Sequence, residues 1–303
     1  MPPRLVAILQ LLLLILSGSL MVVLSKGVLR AVPAHTFYWL QLAVALVTLT
    51  LYQLVRAGTL RVPRLDARSW TYVAAIGINT FLGWRLLFLV GLYDLPATTH
   101  AYLVNFVGIA TMVLSVLLLR EHPSLWQMVG ALVALAGVSV FFRSAPPPGE
   151  LYGASLLVIG IMLLALNNIL VRKLALRVGE RVPAAQLTML TLWLGGLPVI
   201  VHGAWTSHGL PAVEGEHLLV IALYAVVGIA FGQSVYQHLL RTLRSYEAAV
   251  FSACGVVFSA LFALPILGEQ LGWHQVAGIV LMLVGIALAQ WRGVFKLRMW
   301  ARA

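Results

Sequence analysis

Charge is scarce in this sequence. Asp, Glu, Lys and Arg together make up 10% of its 303 residues against 61% hydrophobic residues, and the mean hydropathy is +0.98. Water-soluble domains carry about 25% charged residues, so a soluble globular protein is excluded and a polytopic membrane protein is indicated. Acid is scarcer still, with 9 Asp+Glu against 20 Lys+Arg. The basic excess does not point to nucleic acid, which needs a water-exposed basic face; here the cations lie in short gaps between apolar runs. The single cysteine, Cys254, sits inside an apolar run, which excludes an intrachain disulfide and reads as a small buried hydrophobe. The 8 histidines form no H-E-x-x-H or comparable metal spacing, and neither G-x-x-x-x-G-K-[ST] nor G-x-S-x-G occurs. No metal site, ATP site or hydrolase elbow is therefore expected, and no cofactor.

What the chain has is long apolar runs. Stretches of about 20 residues, the length that crosses a bilayer, occur at 5–25, 34–55, 70–91, 96–119, 124–142, 151–172, 184–203, 217–239, 247–267 and 273–291. The first imitates a signal peptide, but its apolar run continues through Met21 to Leu24 with no A-x-A-like cleavage pattern, so it reads as an uncleaved helix. The third and fourth runs are separated only by LYDLPA, which requires a tight hairpin.

An even number of spans places both termini on one side, and cytoplasmic loops hold the excess of Lys and Arg. One side carries sixteen cations: Arg4, Arg56, Arg61, Arg64, Arg68, Arg120, Arg172, Lys173, Arg177, Arg181, Arg241, Arg244, Arg292, Lys296, Arg298 and Arg302. The other carries Lys26, Arg30 and Arg143, and Arg85 falls within a span. The expectation is an all-α membrane protein of ten transmembrane helices with cytoplasmic termini in a bacterial inner membrane.

The chain also repeats itself. Glu121, Gln127, Gly130 and Gly137 recur at a constant offset of 148 as Glu269, Gln275, Gly278 and Gly285, and Leu135 recurs as Leu283. An offset close to half the length indicates duplication, with a first repeat at 1–145 and a second at 146–303. Five helices per repeat is odd, so the second copy enters the membrane upside down, an architecture of transporters with a site near the midplane. The seam FFRSAPPPGELYG, residues 141–153, reads as a stiff extended connector because three prolines in a row are not helical.

These residues resemble the EamA-type members of the drug/metabolite transporter superfamily, in which a glutamate followed by Q-x-x-G and a further glycine-containing helix recurs. The resemblance covers essentially the whole chain. It implies ten helices in two inverted repeats and a substrate among amino acids, other metabolites and drugs, with the fifth and tenth helices behind the substrate path. Many members also carry a proline halfway along the fourth and ninth helices; here VNFVGIAT (104–111) and ACGVVFSA (253–260) lack it, and Gly108 and Gly255 are expected to serve as the kinks.

Glu121 and Glu269 stand at helix ends just before the following helix, as does Glu247 at the start of the ninth, which favours capping over proton relay. The recurrent glycines favour close helix packing. Polar groups in mid-span are costly unless they face the bundle interior or a cavity, and they supply the candidate substrate site. These are Asn79, Trp84 and Arg85 in the third span, His100 and Asn105 in the fourth and Asn167 and Asn168 in the sixth. Gln186 and Trp193 follow in the seventh, and Gln233, Tyr236 and Gln237 in the eighth. Arg85 either orients an anionic group of the substrate or snorkels and braces against Asp94. The reading is a secondary transporter, an exporter, of small organic metabolites such as amino acids, anionic or zwitterionic, working by alternating access. The alternatives are a drug or organic-cation efflux protein and a membrane-embedded lipid-handling enzyme. Its partners are the substrate and the lipid bilayer; a homodimer is admitted but not required.

Overall fold

The computed structural model describes residues 3–57, 62–119, 125–142, 148–207, 213–242, 252 and 254–300. Without water to satisfy backbone amides and carbonyls, an apolar chain in a membrane folds as helices, and the described residues contain no strand. The helices are α1 (Pro3–Val28), α2 (Ala34–Ala57), α3 (Ala67–Asp94), α4 in two pieces (Ala97–Val104 and Val107–Leu119), α5 (Leu125–Phe142), α6 (Pro148–Val178) and α7 (Ala184–Thr206). After them come α8, in the pieces Gly215–Leu223, Tyr224–Phe231 and Gly232–Thr242, then α9 (Cys254–Leu267) and α10 (Trp273–Trp300). Six, α1, α2, α3, α6, α7 and α8, are each long and apolar enough to cross a membrane alone.

Two sequence expectations are corrected at this level. The seam is shorter than expected, because α6 begins at Pro148; a proline is tolerated in the first turn of a helix, where its missing N–H has no partner to lose. The interruption in α4 falls at Asn105–Phe106, three residues before Gly108. There the amides of Asn105 and Phe106 turn back to the carbonyls of Tyr102 and Leu103 at 3.3 and 3.0 Å, so a tightened turn does what a glycine was expected to do. Glu121, Arg143 and Glu247 lie outside the described residues.

Helix packing follows a pattern of exchange. α1 packs on α9 and α8, while α6 packs on α4 and α3; α2 packs on α8, while α7 packs on α3; α2 meets α7 and α5 meets α10 directly. Adding five to a helix number, modulo ten, maps this set onto itself. The α5–α10 pair is the most extensive, and its glycines are there for close approach: a Cβ on Gly137 would lie 2.9 Å from the Gly278 carbonyl, and one on Gly285 2.6 Å from that of Gly130. The principal core runs through α1, α2, α3, α6, α7 and α8. A second apolar cluster joins α4, α5, α6, α9 and α10 around Tyr102, whose ring stacks on Phe141 at 4.1 Å.

Candidate functional site

Midway along α3 the helix widens into a π-helical stretch, Asn79–Trp84, with Gly83 at a non-helical φ of −102° and ψ of −112°. Such widened turns are rare and often mark functional positions. Three neighbours hold the stretch in place. The Asn79 side-chain amide donates to the Leu163 carbonyl of α6 at 2.8 Å, the Thr80 hydroxyl donates to Asn167 Oδ1 at 3.2 Å, and the buried Tyr38 hydroxyl of α2 donates to the Phe81 carbonyl at 2.5 Å. The second repeat has the same device at the equivalent place, since α8 is π-helical over Tyr224–Phe231.

Just past the widened turn, the Arg85 guanidinium carbon lies 5.2 Å from the centre of the Trp84 ring, within cation–π range. The Trp84 ring meets Phe88 edge-on at 5.2 Å, and Phe88 meets the His100 ring edge-on at 5.6 Å. His100 Nε2 lies 3.1 Å from the Phe88 carbonyl, so that nitrogen carries the proton and Nδ1 is left as an acceptor. Three buried polar atoms of this wall have no hydrogen-bond partner among the described residues: Arg85 Nε, Trp84 Nε1 and His100 Nδ1. A buried donor or acceptor left unsatisfied costs about 1–3 kcal/mol, and these three make two donors and one acceptor along one aromatic wall.

Arg85 makes no ion pair among the described residues. The alternative brace to Asp94 is not formed; at that end of α3 stands Lys26, whose ammonium donates to the Leu92 and Tyr93 carbonyls at 2.8 and 2.6 Å. The π-helical stretch of α8, which begins at Tyr224, packs on α2, the helix that carries Tyr38, so α8 approaches from the other repeat. Tyr38, Thr80 and Tyr224 were not singled out in the sequence. Their only signal was a hydroxyl within an apolar run, and this chain has many.

Ring contacts thus join Arg85, Trp84 and His100 through Phe88, and the hydrogen bonds of Asn79 and Asn167 anchor the adjoining widened turn to α6. The other residues picked from sequence have surroundings of their own. Asn105 donates to the Ala101 carbonyl of its own helix at 2.7 Å, and Tyr236 packs against Ala7, Leu11 and Leu239 in an apolar cluster between α1 and α8. Gln237 lines a small cavity with Ile76, Leu174, Leu187 and Thr191. Gln186 is buried near the start of α7, Asn168 is half-buried, and Trp193 is exposed. Gln233 has a buried side-chain oxygen without a partner.

Capping at Glu269 takes a form the sequence did not show. The carboxylate does not cap α10, which follows it. It accepts instead from the amides of Ala97 and Thr98 and from the Thr98 hydroxyl, at 2.7, 3.1 and 2.8 Å, at the start of α4 in the other repeat. Gly268, at a φ of +68° that favours glycine, ends α9 and turns the chain toward this contact. Gln275 Oε1 accepts from the Gly272 amide at 2.9 Å and so caps α10 locally.

Comparison with known proteins agrees in kind. The model of the EamA-like transporter family matches this chain twice, over residues 5–143 and 151–291. The chain is 24% identical over 277 residues to the uncharacterized transporter YvbV of Bacillus subtilis, covering 88% of this chain and 85% of that one. It is 23% identical over 233 residues to a Salmonella typhimurium protein named "Probable amino-acid metabolite efflux pump", covering 71% and 75%. A solved crystal structure superposes with a TM-score of 0.66 at 20% identity, over 94% of this chain and 98% of the other, which shows a shared fold.

Proposed function

This chain belongs to the EamA-like transporter family and is a transporter rather than an enzyme; from that premise we propose that it exports small organic metabolites bearing an anionic group across a bacterial inner membrane by alternating access. Ten helices cross the membrane in two inverted repeats, 1–145 and 146–303, with both termini in the cytoplasm. The exchange pattern of helix packing supports a two-fold relation between the repeats, and the concentration of Lys and Arg on one side supports the orientation.

The observation that carries the substrate reading is the Arg85 wall. A guanidinium in mid-membrane costs about 2.5–3.5 kcal/mol on insertion scales, yet among the described residues Arg85 has no carboxylate partner, and its Nε and the N–H of the adjacent Trp84 are both buried without a hydrogen bond. A substrate carboxylate satisfies both donors. An organic-cation substrate would instead want a carboxylate in this group, and the residues tied into it include none.

The experiment begins with a thermal-shift screen of purified protein against a metabolite library, since a ligand of the folded state stabilises it by mass action. The hit is then followed by exchange of its labelled form in proteoliposomes. Arg85→Lys keeps the charge and loses the planar fork, so transport is expected to fall sharply in protein that folds and reaches the membrane. Unchanged kinetics in both Arg85→Lys and Arg85→Gln would remove Arg85 from the site.

A further inference from the structure

Arg85 has a counterpart that carries no charge. Gln233 stands 148 residues after it, the same offset that separates the repeated glutamates and glycines. Arg85 directly follows the π-helical stretch of α3, and Gln233 follows that of α8 by one residue. Among the described residues both have a buried polar atom with no partner, Nε of Arg85 and Oε1 of Gln233. The two repeats therefore place one donor and one acceptor at equivalent positions.

In two inverted repeats equivalent positions lie at mirrored depths, and Arg85 stands nine residues, ~14 Å at 1.5 Å per residue, before the end of α3 at Asp94. With the repeats inverted, the two residues stand on opposite sides of the midplane. Helical side chains lean toward the N-terminus of their own helix, so both lean toward the midplane. α2 lies against both helices: its Tyr38 hydroxyl donates to the widened turn of α3, and it packs on the π-helical stretch of α8.

We infer that Gln233 is a specificity-determining residue that sets the charge rule of this transporter. The inference rests on the reading of Arg85 as the group that orients the substrate. Between them the repeats offer one fixed positive charge and one neutral amide. The amide can turn to present its oxygen or its N–H groups, but it cannot neutralise a second charge. The substrate class is an organic molecule with a single anionic group whose other polar end is uncharged or bears N–H. Doubly anionic molecules are refused, because a second carboxylate would be desolvated opposite an amide with no cation to meet it.

The test is binding of four probes that share a phenylalkyl body, suited to the Trp84–Phe88–His100 wall, and differ in their polar ends: 3-phenylpropanoate, phenylalanine, phenylsuccinate and 2-phenylethylamine. Wild-type protein is expected to bind the first two and neither of the others. Gln233→Arg supplies a second bidentate cation and is expected to bind phenylsuccinate at least about tenfold more tightly than wild type, the effect of one charge-assisted pair. Gln233→Glu is expected to weaken 3-phenylpropanoate about tenfold while retaining phenylalanine, whose ammonium group the new carboxylate can meet. The unliganded Tm of each variant reports folding, and should Gln233→Arg fail to fold, Gln233→Glu carries the test alone. An unchanged ranking of probes in the folded variants overturns the inference, as does binding of none of the four to wild type. If Arg85→Gln abolishes binding of 3-phenylpropanoate while the Gln233 variants keep the wild-type ranking, the Arg85 reading stands and the charge rule falls. If Arg85→Gln also leaves binding intact, both fall.

Discussion

Glu269 and Thr98, 171 residues apart, are joined twice: one carboxylate oxygen accepts from both the Thr98 amide, at 3.1 Å, and the Thr98 hydroxyl, at 2.8 Å. The carboxylate sits on the first amides of α4, while the Lys26 ammonium sits on the last carbonyls of α3. Each charge faces the helix terminus of opposite partial charge, so the α3–α4 hairpin is held from α1 on one side and from the α9–α10 turn on the other. Removing a capping group costs about 0.5–2 kcal/mol. Glu269→Ala is therefore expected to destabilise by about that much. A double-mutant cycle with Thr98→Val should show coupling between the two side chains; additive losses would mean that the contact contributes nothing to the folded state.

The α3–α7 crossing depends on two glycines. A Cβ on Gly195 would run into the Gly77 carbonyl oxygen, and one on Gly77 would lie 2.6 Å from that of Thr191. The obstacle in both cases is backbone, which cannot rotate away. Gly195→Ala is expected to lower stability by about 1–3 kcal/mol, the usual cost of overpacking. Gly18→Ala, where nothing lies within 4 Å, should be neutral or slightly stabilising because alanine is the better helix former. Thermal unfolding of the two variants side by side checks the contrast.

On the side that bears most of the cations, Asp66 before α3 pairs with Arg177 near the end of α6, at 2.5 Å, across the two repeats. The Arg177 hydrogen bond, with help from the Ser69 hydroxyl, holds the Asp66 carboxyl down at about 2. A depressed carboxylate contributes stability that is fully present above its unfolded pKa, about 3.9, and is lost as pH falls through about 2. Wild type and Arg177→Ala should thus differ in unfolding temperature above pH ~4 and converge as pH approaches 2. A difference that persists to the lowest pH would assign the stabilisation to packing of the Arg177 stem.

Topology is open to direct labelling. Ser69 is a poor reporter because it is buried and bonded to Asp66, whereas Arg64 and Glu214 are exposed. Single cysteines at Arg64 and Glu214, with Cys254 replaced, are expected to react with an impermeant reagent from opposite sides of the membrane, Arg64→Cys from the cytoplasm. Labelling of both from one side would sink the inverted arrangement.

The sequence alone determined that this is an all-helical membrane protein built from two copies of one unit. Hydropathy and the spacing of Glu, Gln and Gly are local or strictly repeated signals, and a bilayer leaves an apolar chain little choice but the helix. The packing of Gly137, Gly278 and Gly285 was legible for the same reason: a small residue every seventh position makes one flat face. Within the site, Arg85 and Asn79 stood out because polar groups in an apolar run are conspicuous. Only the tertiary structure decided which partners they take. Glu269 caps a helix in the other repeat, Lys26 bonds the last carbonyls of α3, and Tyr38 reaches the widened turn of α3 from α2. None of these follows from spacing along the chain, because each pairs groups on different helices that only the packing of the bundle brings together. The π-helical turns are also tertiary products: neither NTFLGW nor YAVVGIAF announces an extra residue in the turn. In α3 the widened backbone is held by Tyr38, Leu163 and Asn167, which come from two other helices.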